Sequence, residues 1–241
     1  MSEVHRFFAR DDLVDGAAHA LLDAVVALQA GGRVAQIALT GGRIANRIYE
    51  RLGALVEGAA LDPGRLELWW GDDQFLPTDD RRRNAGLTLS LLAGQFPLDP
   101  ARTHAMPSAD GVADNASAAA TYAKELGDTR FDICLLGLGE DGHVASIFAD
   151  HASFEPTTHT VIAVNDAPTP PPERISLSME TIRASHEVWF LVSGAEKAAA
   201  LARAIAGDPL LPGGVARGTD RTVWFVDADA TADLPYYECA F

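Results

Sequence analysis

Cysteine is nearly missing: Cys134 and Cys239 are the only two thiols in 241 residues. Two thiols make no disulfide framework of the kind that staples small secreted domains. Cys134 stands inside an apolar run, where a small inert hydrophobe is expected. Basic residues are also scarce, 19 against 34 acidic ones, for a formal net charge of −15. That balance argues against nucleic acid or an anionic membrane face as partner. It leaves an anionic small molecule open, because a few local cations and helix amides suffice to hold one. The opening MSEVHRFFARDDLV shows no basic leader followed by an apolar core, and no apolar run is read as long enough to cross a bilayer, so the cytoplasm is the expected address. The seven histidines show no metal-ligand spacing, and the chain has no dinucleotide fingerprint, P-loop or G-x-S-x-G elbow. No metal is expected.

What is present is an ordinary globular balance, 48% hydrophobic and 22% charged, long enough to bury a large core. Apolar runs at 34–40, 66–70, 131–137, 159–164, 186–194 and 221–230 read as strands. Helical spacing covers 12–30, the segment after Gly41-Gly42, 109–127 and 195–207. About six strands alternating with helices predict an α/β chain, with a Rossmann-like open, mostly parallel sheet covered by helices on both faces. The stretches 97–107 and 165–173 read as loops, the second an exposed proline segment, so residues 1–241 are expected to form a single domain closed by Tyr236-Tyr237.

The most informative stretch is FDICLLGLGEDGHVASIF, residues 131–148. A buried strand ends in glycine, Gly139 and Gly142 bracket Glu140-Asp141, and His143 follows at once. Val144, Ile147 and Phe148 then show a helix-like spacing. Open α/β sheets bind ligands at such strand ends, and an imidazole there can exchange a proton near neutrality. Three further strand ends point the same way: Gly41-Gly42-Arg43, Asp72-Asp73, and Ser193 to Lys197. Arg43 and Lys197 are cations in first helical turns, where the dipole prefers an anion. The set suits a phosphorylated metabolite, with His143 activating water or moving a substrate proton while Asp141 or Asp73 orients it. Ser146, one turn beyond His143, makes a poor triad partner. At least two of Arg81, Arg82 and Arg83 are expected to be solvated.

On these residues the chain resembles the 6-phosphogluconolactonase family, the lactonase branch of a superfamily shared with the glucosamine-6-phosphate isomerase/deaminases. Gly137 to Phe148 is similar to its G-x-G-x-D-G-H-x-A-S-L-F motif, and Leu39 to Gly42 to its sugar-phosphate loop. Trp70 to Pro77 with Asn84, Arg174 to Leu177, Ser193-Gly194 with Lys197, and Trp224 to Asp227 resemble its remaining signatures. The resemblance implies a cofactor-free cytoplasmic hydrolase of 6-phospho-D-glucono-1,5-lactone in the oxidative pentose phosphate pathway. His143 would be the general base, with Asp141 or Asp73 beside it and the Gly142 amide, or a neighbouring donor, at the oxyanion. Arg43, Arg174, Lys197 and the Gly41-Gly42 amides would take the phosphate, and Asp72 would join the substrate-binding set. A monomer is the default expectation, a homodimer the alternative. Two departures stand out. Asp72-Asp73-Gln74 replaces Asp-Glu-Arg, and Arg43-Ile44-Ala45 replaces Ser-Thr-Pro, which suggests that Arg43 supplies the charge missing at Gln74. The alternatives are an isomerase/deaminase on an amino-sugar phosphate and a non-catalytic sugar-phosphate sensor.

Overall fold

Period-two burial decides which side of the sheet each strand residue serves. In the central strand, Ile133 and Leu135 face one apolar cluster and Cys134 and Leu136 the other, so both faces are covered. The computed structural model describes residues 2–92 and 98–234. Pro97, Tyr236-Tyr237 and Cys239 lie outside the described residues.

In chain order the elements are β1 (Ser2–Phe7), α1 (Arg10–Ala30), β2 (Ala35–Leu39), α2 (Arg43–Val56), β3 (Leu66–Trp70), β4 (Asp72–Gln74) and α3 (Asn84–Leu92). There follow β5 (Thr103–His104), α4 (Asn115–Leu126), β6 (Ile133–Leu136), β7 (Val161–Val164), β8 (Arg174–Leu177) and α5 (Met179–Ala184). The chain continues with β9 (Glu187–Val192), α6 (Ala198–Ile205), α7 (Pro212–Val215) and β10 (Arg221–Asp227). Seven strands form a parallel sheet in the order β1-β10-β9-β6-β2-β3-β5. From β2 the chain runs outward through β3 to β5, and from β6 the other way through β9 to β10. The order therefore reverses between β2 and β6, and the crevice at their carboxyl ends is where such sheets take ligands.

The structure corrects the sequence reading in three places. A second sheet, antiparallel in the order β4-β8-β7, takes in Asp72–Gln74 and Arg174–Leu177, which the sequence reading does not assign to strands. Both strands are short, and they pair across about a hundred residues, which leaves no local signature. The segment after His143 is not a helix: Val144 and Ile147 exchange both backbone hydrogen bonds in a tight turn, with Ala145 at φ 48°. Its apolar residues recur because Val144, Ile147 and Phe148 all plug into the core. Finally, α1 is long and apolar enough by length and composition to cross a membrane. Its apolar stripe, Leu13, Val14, Ala17, Ala18, Leu21, Leu22 and Val25, is buried. The prolines 168, 170 and 172 are exposed, as expected.

Two buried tyrosines finish the strands that reach the crevice. Tyr49 of α2 accepts a hydrogen bond from Thr40 N (3.0 Å) and donates to Thr40 O (2.9 Å), closing the polar groups left where β2 ends. Tyr122 of α4 accepts from Trp70 N at the end of β3 in the same way (2.9 Å). Burial pushes both phenols above their usual range, so they are neutral and able to donate. Tyr49→Phe is expected to lower stability by about 1–3 kcal/mol, because it orphans buried backbone groups that the phenyl ring cannot serve. Urea unfolding checks it.

Candidate active site

The loop after β6 is held by its own backbone. Gly139 N donates to His143 O (2.9 Å), Gly142 N donates to Gly139 O (3.0 Å), and Gly213 N donates to Gly142 O (2.9 Å). Gly139 must be glycine, since a Cβ there would lie 2.1 Å from His143 Nδ1 and 2.3 Å from Asp141 Oδ1. This closeness sets the pair that matters most. His143 Nδ1 and Asp141 Oδ1 are 2.6 Å apart. The hydrogen bond from His143 holds the Asp141 carboxyl down at about 2. Asp141 is then acceptor only, so the network assigns the proton to Nδ1 and leaves Nε2 as the ring nitrogen without a partner among the described residues. Asp141 rather than Asp73 pairs with His143.

His143 lines a cavity of about 260 Å³ together with Thr40, Gly41, Gly42, Asp72, Gln74, Asn84, Arg174 and Lys197. One wall is the end of the large sheet and the other is the small sheet. Alternation sorts the latter: Asp72 pairs with Ser176 and Gln74 with Arg174 on one face, and Asp73 pairs with Ile175 on the other. Asp72 is buried, accepts from Ser146 Oγ (2.7 Å) and lies 3.3 Å from Asn84 Nδ2. Burial raises its carboxyl above the usual range, opposed by that hydroxyl, by Arg174 and by His143. Arg174 is buried too. Its Nη2 donates to Thr169 O (2.7 Å) and Oγ1 (2.8 Å) and its Nε to Pro171 O (3.2 Å), which leaves Nη1 uncommitted among the described residues. The Phe148 ring lies 5.6 Å under the Arg174 guanidinium and 4.7 Å from the His143 ring, so cation and imidazole flank one aromatic.

Asp73 is not in the cavity. It is fully buried beneath α3, where it accepts from Asn84 N (2.7 Å) and Ala85 N (3.4 Å) and faces Arg83 Nη2 at 3.1 Å. It caps a helix and cannot orient His143. Arg81 and Arg82 are exposed, whereas Arg83 is buried as the partner of Asp73 rather than an anion contact. Gly142 also departs from expectation: its N–H is engaged with Gly139 O, so it is no free oxyanion donor.

Gly41 and Gly42 lead into α2, whose N-cap Gly42 has φ 105° and whose first turn no side chain caps. A left-handed N-cap suits glycine alone, and the first-turn N–H groups face the crevice without an intrahelical partner. Lys197 lies in a 3₁₀ turn, Ala195–Lys197, ahead of α6 rather than inside it, and carries no ion pair among the described residues. Arg43 opens instead onto an adjoining cavity of about 460 Å³ that shares Gly41, Gly42 and Lys197 with the first. Its side chain is 96% exposed, 3.7 Å from Glu196. Gln74 lines the first cavity and Arg43 the second, so Arg43 does not occupy the place of a cation at 74. Ser146, dismissed as a triad member, proves to be the donor to Asp72. No spacing signals a partner 74 residues away.

A sequence profile described as glucosamine-6-phosphate isomerases/6-phosphogluconolactonase matches residues 9–224. A 6-phosphogluconolactonase of Streptomyces coelicolor is 42% identical over 96% of this chain and 94% of its own length. Among solved structures, 6-phosphogluconolactonase from Trypanosoma cruzi superposes with a TM-score of 0.85 at 23% identity, covering 98% of each chain. A monomeric glucosamine-6-phosphate deaminase gives 0.79 at 20% identity, covering 96% of this chain and 99% of its own. The shared fold therefore does not separate hydrolysis from isomerisation.

Proposed function

The chain belongs to the glucosamine-6-phosphate isomerase/6-phosphogluconolactonase family, and from that premise we propose that it hydrolyses 6-phospho-D-glucono-1,5-lactone to 6-phospho-D-gluconate in the cytoplasm, as a monomeric single domain. The observation that carries this reading is the Asp141–His143 pair, 2.6 Å apart, on the rim of a crevice that holds Arg174 and Lys197 in a chain of net charge −15. Nε2 of His143 takes a proton from water as its oxygen attacks the C1 carbonyl, and ionised Asp141 steadies the imidazolium that forms. The tetrahedral intermediate collapses with cleavage of the bond between C1 and the ring oxygen. His143 returns the proton to that oxygen, leaving a hydroxyl at C5 and a carboxylic acid at C1, which releases its proton to solvent and becomes the carboxylate.

Arg174 sits across Phe148 from His143, and its free Nη1 is the donor we assign to the developing oxyanion in place of Gly142. Lys197 and the first-turn amides of α2 take the phosphate at the other end, with Arg43 at the mouth. Asp72, held by Ser146 and Asn84, accepts a sugar hydroxyl. Asp73 acts only by fixing the end of α3 and, through Asn84, the position of Asp72.

The test is hydrolysis of freshly generated 6-phosphogluconolactone at mildly acidic pH, where spontaneous opening is slow. We expect a rate well above background and no ammonia from glucosamine 6-phosphate. Ammonia release would establish the deaminase reading. Binding of 6-phosphogluconate with no turnover of the lactone would establish a sensor.

A further inference from the structure

Five buried side-chain polar atoms have no hydrogen-bond partner among the described residues: Trp70 Nε1, Gln74 Oε1, Arg83 Nε, Thr88 Oγ1 and Ser185 Oγ. Only Gln74 belongs to the lining of the active-site cavity. Buried polar groups in native proteins are nearly always paired, so an orphaned one at a binding cavity asks what pairs it.

Gln74 is at the end of β4, directly opposite Arg174 in β8, on the face turned to the cavity. No neighbour donates to it among the described residues: Arg174 Nε and Nη2 are taken by Pro171 and Thr169, Arg174 Nη1 is the group we assign to the oxyanion, and the Asn84 amide nitrogen is taken by Asp72. A terminal amide torsion is soft, and a turn about it presents Oε1 to a bound molecule. The ligand group that pairs Oε1 must donate a hydrogen. Phosphate oxygens and the lactone carbonyl accept, so neither pairs it. A ring hydroxyl does.

We propose that Gln74 reads one ring hydroxyl of the lactone and is a specificity-determining residue of this chain. The inference rests on the lactonase reading above and extends it to the sugar end of the cavity. It also gives physical sense to a neutral residue at a position where the resemblance leads one to expect arginine. A guanidinium at 74 would face that of Arg174 across β4 and β8, with Asp72 the one β4 carboxylate on that face, while Asp73 points the other way and belongs to Arg83. A neutral acceptor beside Arg174 avoids that repulsion and discriminates by hydroxyl rather than by charge.

The experiment compares wild type, Gln74→Met and Gln74→Arg on the phosphorylated lactone and on its 2-, 3- and 4-deoxy derivatives. Both variants remove the acceptor. In the wild type, removal of one particular hydroxyl is expected to lower kcat/KM roughly tenfold. Each variant should lose a similar factor on the parent lactone and no further factor on that one deoxy substrate. Equal sensitivity to every deoxy substrate in variants and wild type would overturn the assignment while leaving the lactonase reading intact. No turnover of the parent lactone by wild type would overturn both. Should Gln74→Met fail to fold, Gln74→Arg supplies the comparison by itself.

Discussion

His143→Ala is expected to lower kcat for the phosphorylated lactone by about 100- to 10,000-fold, with KM within a few-fold of wild type. The split follows from geometry. In our reading the imidazole takes part in proton transfer, whereas Lys197 and the α2 amides hold the phosphate and are untouched by its removal. A modest structural penalty is expected too, because the ring packs against Phe148 at 4.7 Å. That packing is at the cavity rim, with a quarter of the His143 side chain (26%) exposed, so the variant should fold. Asp141, held at about 2 by the histidine, stays ionised throughout the usable pH range and contributes no titration of its own to the rate profile. Initial rates on fresh lactone, corrected for spontaneous opening, decide the matter. A variant retaining most of the wild-type kcat would remove His143 from the proton path, and a rise in KM alone would make it a binding residue.

Arg83→Met is expected to destabilise the fold by about 3–5 kcal/mol at neutral pH, although Arg83 touches no substrate. Asp73 is fully buried, and its carboxylate depends on Arg83 at 3.1 Å and on the amides that open α3. Burial already pushes Asp73 up to about 6 despite that guanidinium. A carboxyl raised in the folded state makes its full contribution to stability below its unfolded value, about 4. That contribution is lost as pH rises through 6. Removing Arg83 raises the folded value further, so the deficit of the variant should be smallest near pH 4 and grow towards pH 7. Urea unfolding at several pH values reads this directly. In the double variant Arg83→Met/Asp73→Asn the deficit should shrink, because asparagine can still accept from the α3 amides and leaves no buried charge. A deficit independent of pH would show that the loss is packing alone.

Neighbouring acids thus have opposite fates, and this marks the limit of a one-dimensional reading. Asp72 and Asp73 are equal candidates in the sequence. Strand alternation sends them to opposite faces, but which one meets the cavity depends on the pairing of β4 with β8, and that pairing joins residues a hundred positions apart. The same long-range pairing buries Arg174 beside His143 and puts Gln74 opposite it. Arg43, by contrast, looked like a site cation because it opens a helix, yet its side chain is almost wholly exposed beside a second cavity.

Order along the chain was enough to set the parallel sheet, the strand end at Gly41-Gly42, and the histidine loop at Gly139 to His143. Apolar periodicity, glycine placement and the sharp move from apolar to polar residues are local signals, encoded within a few positions of where they act. Only the tertiary structure decided that Asp141 is the partner of His143, that the Gly142 amide is engaged, and that Asp73 belongs to Arg83. It also decided that two tyrosines from different helices close the ends of β2 and β3. Each of those outcomes depends on which hydrogen-bonding groups remain unpaired once the chain has packed, a quantity that the order of residues along the chain does not contain.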